Sequence, residues 1–67
     1  MVEFGEQLRR AREEKGMTQQ SLAEQLYVTR QAVSRWECGA SDPSTSNLLT
    51  LAKLFNTTAE ELLREVQ

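Results

Sequence analysis

Two threonines, Thr18 and Thr29, constrain the fold of this chain more than any other feature of its sequence. Each stands before an apolar-periodic segment, where its hydroxyl can accept hydrogen bonds from the free backbone amides of a first helical turn. The segment between them has room for about two helical turns, and its apolar residues share one face: Leu22, Ala23 and Leu26. The second segment runs until Gly39, and glycine commonly ends helices. The spacing therefore predicts two short helices, at 19–26 and 30–38, joined by a very tight turn.

Helical spacing continues on both sides of this pair. Before it, the residues at helical spacing are Phe4, Leu8, Ala11, Arg12 and Lys15. Gly16 can end that segment in the left-handed conformation, whereas Ser44 caps a fourth segment that ends near Asn56. Thr58 and Glu61 form a capping-box pattern ahead of a fifth segment. Glycine and proline fall between the segments rather than inside them, so the sequence predicts an all-α fold, a compact five-helix bundle with helices at roughly 3–15, 19–26, 30–38, 45–55 and 59–66.

The length of 67 residues predicts one small domain spanning residues 1–67. A domain of this size buries only about 60% of its unfolded surface, so it has few core positions. The apolar positions predicted to form the core are Leu8, Leu22, Ala23, Leu26, Val33, Trp36, Leu48, Leu51, Ala52, Phe55 and Leu62. We interpret Trp36 as a core residue rather than a base-stacking one, because it follows Val33 at helical spacing.

The composition excludes several classes of function. With no histidine and a single cysteine, Cys38, the chain has neither a protein-built zinc site nor a cysteine–histidine nucleophile pair. No phosphate loop or metal-ligand spacing is present, so we predict no enzyme activity, no metal, no cofactor and no small-molecule ligand. Because no apolar run approaches the roughly 20 residues of a membrane span and no secretory signal begins the chain, we predict a soluble cytoplasmic protein without a membrane partner.

Two short helices joined by a tight turn form a helix-turn-helix, here over about 19–38, whose second helix can enter the major groove of DNA. At about 100° per residue, Ala32, Val33 and Trp36 fall on the inward side of that second helix. Arginine can pair with guanine through its two-donor fork, and glutamine can pair with adenine. The outward side carries the predicted base-reading residues, which are Arg30, Gln31, Ser34 and Arg35.

The pI of about 5.0 counts against nucleic-acid binding, because domains that bind nucleic acids often have a pI above about 9. However, phosphate contacts do not require lysine or arginine, since free amides at a helix N-terminus bind anions directly. Uncharged donors at the starts of the second, third and fourth helices are therefore the predicted contacts to the DNA backbone: Gln19, Thr29, Ser44, Thr45 and Asn47.

Taken together, these residues resemble the lambda-repressor and Cro-like helix-turn-helix family of phage and bacterial repressors, also called the xenobiotic-response-element family. The resemblance covers nearly the whole chain and lies in the joint spacing of Arg12, Gly16-Met17-Thr18-Gln19, Leu22-Ala23, Val28-Thr29-Arg30-Gln31, Val33-Ser34-Arg35-Trp36-Glu37, Gly39, Pro43-Ser44 and Glu61-Leu62. It implies that 30–38 is the recognition helix, with Gln19 and Thr29 touching phosphate or base edges. The predicted function is sequence-specific binding of double-stranded DNA by a transcriptional repressor, as a homodimer on a two-fold-related operator.

The family pattern also implies an ion pair between Arg12 and Glu37. The sequence gives an independent reason, because Arg12 lies on an apolar helix face where an unpaired charge would be destabilising. Two residues depart from the pattern. Tyr27 stands where the family turn usually has glycine or asparagine, and a positive φ there would cost about 1 kcal/mol or more. Cys38 stands where a polar or basic residue is common, which removes one phosphate contact.

A second hypothesis comes from the acidic balance of the chain, which has ten acidic and eight basic residues. An acidic surface suits a basic protein, so the chain could instead be a protein-interaction module, such as an antitoxin-like or adaptor domain. In the predicted fifth helix, Leu63 and Val66 could either pair two subunits or be buried within one.

Overall fold

The computed structural model describes residues 2–56, and within this range helices are the only regular secondary structure. Its four helices are α1 (Val2–Glu14), α2 (Gln19–Leu26), α3 (Arg30–Glu37) and α4 (Thr45–Leu54). The all-α prediction is confirmed for this part of the chain. The predicted fifth helix at 59–66, with Leu62 and the Thr58–Glu61 capping pair, lies outside the described residues. No helix within 2–56 is long and apolar enough to cross a lipid bilayer.

The ends of three helices differ from the prediction by one residue. The sequence predicts that the first, third and fourth helices end at residues 15, 38 and 55. In the structure, α1, α3 and α4 end at Glu14, Glu37 and Leu54. Cys38 and Phe55 are C-cap residues, with ψ angles of 1° and 7° that no longer continue the helix. The helical periodicity of the sequence assigns such residues to the helix because their side chains still lie near the helix surface.

Hydroxyl side chains begin α2, α3 and α4, which confirms the three predicted N-caps. The Oγ1 atom of Thr18 accepts from the Ser21 amide at 3.0 Å, and the Ser21 hydroxyl accepts from the Thr18 amide at 2.9 Å. This reciprocal pair is a capping box that sequence reasoning missed, because its second member is serine rather than glutamate or glutamine. Thr29 and Ser44 cap α3 and α4 in the same way, each at 3.2 Å.

Left-handed residues end the helices. Gly16 (φ 69°) and Asn56 (φ 55°) adopt this conformation, as predicted. Tyr27 also has a positive φ of 58°. Its amide donates to the carbonyl of Glu24 at 3.3 Å and the next amide, from Val28, donates to Ala23 at 3.0 Å. These two bonds form a Schellman motif with Tyr27 in the position that usually takes glycine.

Replacing Tyr27 by glycine is expected to stabilise the domain. The left-handed conformation costs a non-glycine residue about 1 to 2 kcal/mol, whereas the extra backbone entropy of glycine offsets about 0.5 to 1 kcal/mol of the gain. Because the side chain is 95% exposed, its removal loses no packing. We expect a net gain of about 0.5 to 1 kcal/mol, seen in thermal unfolding as a rise of several degrees in Tm. A fall in Tm would show that the ring makes a stabilising contact.

One hydrophobic core joins all four helices. α3 packs against both α1 and α2, and α2 also contacts α4. Among the residues whose burial the structure describes, the buried hydrophobic ones are Phe4, Leu8, Leu22, Ala23, Leu26, Val33, Trp36, Leu51 and Ala52. Two predicted core residues, Leu48 and Phe55, are half-buried and pack against this cluster from α4 and its C-cap. Phe4 was absent from the predicted core, although it lies one helical turn before Leu8 and is only 2% exposed.

The prediction that glycine falls only between helices is wrong at Gly5, which is buried inside α1. A Cβ atom at this position would lie 2.6 Å from the carbonyl oxygen of Trp36 and closer still to that of Glu37. Glycine in a helix interior is less favourable than alanine by about 1 kcal/mol. Glycine at this position instead favours the tertiary packing, because the absence of a side chain lets α1 approach the backbone of the last turn of α3.

Candidate nucleic-acid interface

The third helix has one buried and one exposed side. Val33 and Trp36 lie in the core, and the contacts of this face with α1 and α2 set the orientation of the helix. On the opposite side, three of the four predicted base-reading residues are exposed and the other, Ser34, is half-buried: Arg30, Gln31, Arg35 and Ser34. The structure thus brings these four together on one surface strip, with two guanidinium groups and one carboxamide available to a ligand.

The sequence segments that carry this surface contain no acidic residues. No aspartate or glutamate occurs in 25–36 or in 43–59, although the chain has ten of them. These two segments contain every predicted DNA-contact residue except Gln19, which lies in a third acid-free stretch, 15–23. The low pI therefore reflects acidic groups elsewhere, and the exposed strip of α3 has a local positive charge from Arg30 and Arg35.

The capping hydroxyls retain a free donor. The oxygen atoms of Thr29 and Ser44 accept from Ala32 and Asn47 amides, which fixes their positions. A hydroxyl that accepts in this way still carries its own hydrogen, which it can donate to an anion. Thr45 is exposed and Asn47 half-buried at the start of α4. In the described part of the chain, these helix starts therefore present neutral donors together with the partial positive charge of the helix dipole.

Gln19 makes a hydrogen bond within the protein that the sequence did not reveal. Its Nε2 atom donates to Glu37 Oε1 at 3.1 Å, so one of its two amide hydrogens is occupied within the protein. The other hydrogen remains available. The bond joins the first residue of α2 to the last residue of α3, and it orients the carboxamide of Gln19 by holding its nitrogen toward Glu37.

The same carboxylate forms an ion pair with Arg12. The Nε atom of Arg12 lies 2.7 Å from Glu37 Oε2 and its Nη2 atom 3.2 Å from Oε1, while Nη1 donates to the carbonyl of Met17 at 2.8 Å. The side chains of Arg12 and Glu37 are only 12% and 6% exposed. The hydrogen bonds to Glu37 raise the pKa of Arg12 despite its partial burial. This cluster ties α1, the α1–α2 turn and both ends of the α2–α3 pair together.

The two residues that depart from the family pattern are both exposed. Tyr27 projects from the turn between α2 and α3. The thiol of Cys38 is exposed at the end of α3 and donates to the Arg35 carbonyl at 3.5 Å. Among the described residues, no cluster of cysteine, aspartate and glutamate side chains has the arrangement to hold a metal ion.

A comparison with known protein families identifies the family to which these helices belong. A family model described as Helix-turn-helix matches residues 8–62. The chain belongs to the helix-turn-helix family. The resemblance to lambda-repressor and Cro-like regulators is therefore confirmed, with α2, the turn at Tyr27 and α3 forming the helix-turn-helix.

Solved structures and sequences of other helix-turn-helix proteins agree with this assignment. The fold is similar to the P22 c2 repressor in complex with synthetic operator 9T, with a TM-score of 0.86, 31% identity and coverage of 91% of this chain and 92% of that one. It is also similar to the restriction-modification controller protein C.AhdI from Aeromonas hydrophila, with a TM-score of 0.83, 35% identity and coverage of 92% and 94%.

The helix-turn-helix domain is also similar to part of longer proteins. It is 47% identical over 62 residues to the HTH-type transcriptional activator BcrR of Enterococcus faecalis, covering 92% of this chain and 30% of the activator. It is 34% identical to the SPbeta prophage-derived regulator YonR of Bacillus subtilis, of which it covers 56%. The chain thus spans about half or less of the length of these two relatives.

Proposed function

We propose that residues 1–67 form a single domain that binds double-stranded DNA sequence-specifically for a transcriptional regulator. The observation that carries this proposal is the two-sided α3, whose buried face is anchored in the core while Arg30, Gln31 and Arg35 project outward. A rigid helix that presents a guanidinium fork and a carboxamide matches the pattern of acceptors and donors in the major groove. The similarity to a repressor bound to a synthetic operator supports the same function.

Base reading is proposed for the exposed strip of α3. Arg30 and Arg35 can each donate two hydrogen bonds to guanine, and Gln31 can both donate to and accept from adenine. Ser34, half-buried between them, has a short side chain that suits contact with either base or with a neighbouring side chain. Since the exposed residues lie on an eight-residue helix, one copy of the domain reads only a few base pairs.

Contacts to the DNA backbone are proposed for neutral groups that flank this strip. They are Gln19, Thr29, Ser44, Thr45 and Asn47, which lie at the starts of α2, α3 and α4. The hydrogen bond from Gln19 to Glu37 supports its assignment as a preoriented donor. Because most of these contacts carry no charge, few counterions are released, and binding should depend on salt less steeply than in strongly electrostatic DNA-binding proteins.

A homodimer on a two-fold-related operator completes the proposal. A single recognition helix contacts too few base pairs to define an operator, whereas two copies on half-sites about one helical turn apart double the sequence information. Occupancy of such a site can repress transcription by excluding other proteins, and repression is the outcome that we propose.

Replacing Gln31 by alanine is expected to remove preference at one base pair of each half-site. The loss of a two-bond contact should reduce discrimination there by about 1 to 3 kcal/mol and leave the other positions unchanged. The measurement is selection of bound duplexes from a random pool, with wild type and variant at the same salt concentration. Gln25→Ala, which removes an exposed glutamine from α2, is the matched control.

The same selection tests the proposed function as a whole. An enriched motif with two-fold symmetry supports DNA binding by a dimer. Failure of the wild-type chain to enrich any sequence at low salt would contradict the proposal and favour the protein-interaction hypothesis. In that case Arg30→Ala combined with Arg35→Ala would leave binding to a protein partner intact.

A further inference from the structure

Tyr27 combines backbone strain with almost complete exposure. Its φ of 58° is unfavourable for a residue with a Cβ atom, yet its side chain is 95% exposed. Among the described residues, its phenol hydroxyl has no hydrogen-bond partner. A strained backbone conformation persists when the surrounding structure determines it, and here the two Schellman hydrogen bonds do so. They involve only backbone atoms, so they do not account for a tyrosine side chain at this position.

The position of Tyr27 relative to α3 is rigid. The Val28 amide closes the Schellman motif on Ala23, and the side chain of Val28 packs against the core. Thr29 then caps α3. Tyr27 is consequently held between two anchored elements, so its side chain leaves the turn from a fixed point close to the first residue of α3.

If α3 binds as proposed, that point lies near the sugar–phosphate backbone at the edge of the major groove. Arg30 follows Tyr27 by three positions, a distance of at most about 11 Å along the backbone. The major groove is about 12 Å wide, and recognition helices insert their N-terminal residues into it. A long side chain on the preceding turn is therefore within reach of the sugar–phosphate backbone that borders the groove.

We propose that Tyr27 is an additional DNA contact, whose hydroxyl donates a hydrogen bond to a backbone phosphate beside the groove that receives α3. This inference rests on the proposed function. Tyrosine is among the neutral side chains that donate to phosphate, and such a donor suits a domain that has only eight basic residues. No acidic residue occurs in 25–36, so the turn itself carries no charge that repels the phosphate, and the nearest acidic residue before it is Glu24 in the last turn of α2.

The test compares Tyr27→Phe and Tyr27→Gly with wild type, measuring Kd for the selected operator by fluorescence anisotropy and Tm by thermal unfolding. Tyr27→Phe keeps the ring and the strain but loses the hydroxyl, so we expect an unchanged Tm and binding about tenfold weaker. Tyr27→Gly should also bind about tenfold weaker while its Tm rises. If Tyr27 had only a structural role, Tyr27→Gly could not combine a higher Tm with weaker DNA binding, because relief of strain alone would leave the affinity for the operator equal or higher.

The specificity of the effect separates a phosphate contact from other contacts. The loss in Tyr27→Phe should be the same factor for the operator and for a duplex with one altered half-site base pair, because phosphate carries no sequence information. Binding by Tyr27→Phe within twofold of wild type, or a loss confined to one base pair, would overturn the assignment. If Gln31→Ala loses its base preference while both Tyr27 variants bind the operator as tightly as wild type, only the Tyr27 inference is overturned. If the wild-type protein binds no DNA, the proposed function and the Tyr27 inference are both overturned.

Discussion

Replacement of Arg12 by alanine is expected to lower the free energy of unfolding by about 3 to 5 kcal/mol. The substitution leaves the Glu37 carboxylate, whose side chain is only 6% exposed, with Gln19 as its remaining donor among the described residues. It also removes the donor to the Met17 carbonyl. A domain of this length has about 3 to 10 kcal/mol of stability in total, so the substitution should remove about a third of that stability or more. Circular dichroism during thermal or urea unfolding measures the loss.

Two further variants show whether the unpaired carboxylate causes this loss. Arg12→Lys retains the charge but cannot form the two-donor fork, so its stability should fall between those of wild type and Arg12→Ala. Arg12→Met combined with Glu37→Leu removes both charges and should recover most of the stability, because apolar pairs often replace buried ion pairs without loss. Wild-type stability in Arg12→Ala, or a double variant less stable than Arg12→Ala, would contradict this account of the ion pair.

Replacement of Gly5 by alanine is expected to destabilise the domain by about 2 kcal/mol or more. Helix propensity alone favours alanine by about 1 kcal/mol, but the new Cβ would lie 2.6 Å from the Trp36 carbonyl oxygen and 2.8 Å from the Glu37 carbonyl carbon. Both neighbours are backbone atoms, so no side-chain rotation can relieve the contact. α1 and α3 must move apart, and overpacking typically costs about 1 to 3 kcal/mol, occasionally more. Because three backbone atoms of α3 lie within 3.0 Å of the new Cβ, the cost here lies at or above the upper end of that range, which leaves a net loss of about 2 kcal/mol or more after the gain in helix propensity. Tm should fall by about 10 °C or more.

Glu6→Ala provides the control for Gly5→Ala, because Glu6 is the next residue in α1 and is exposed. Its effect should stay within about 0.5 kcal/mol, as for most surface substitutions. If Gly5→Ala instead raised Tm, helix propensity would outweigh the close approach, and the backbones of α1 and α3 would have to lie farther apart than the structure places them.

The features of this fold that follow from the sequence are those set by a local interaction. Thr18, Thr29 and Ser44 were recognised as helix starts because each hydroxyl bonds an amide three residues later. Gly16 and Asn56 were placed at helix ends because their residue types tolerate a positive φ. The one-residue errors at Cys38 and Phe55 arose because a C-cap side chain still follows the helical periodicity although its backbone does not.

Other features of the candidate site depend on residues distant in sequence. The pattern of α3 predicted which residues project from it, and Arg30, Gln31 and Arg35 are exposed. It did not predict that Gln19 would donate to Glu37, eighteen positions away, because that bond requires α2 and α3 to cross with those two ends together. Phe4 was likewise missed, since a single aromatic near the start of a helix does not show by itself what covers it.

The sequence alone determined the starts of α2, α3 and α4 and the two-sided character of α3, since these depend on hydrogen bonds and periodicities that close within one or two turns. The joint spacing of its motif residues also indicated the helix-turn-helix family. The near-contact of Gly5 with the end of α3, the shared carboxylate of Glu37 and the exposure of Tyr27 exist only in the assembled fold. Their physical reason is common to all three. Each depends on how closely and at what angle two helices pack, and that geometry results from the summed shapes of many core side chains rather than from any short segment.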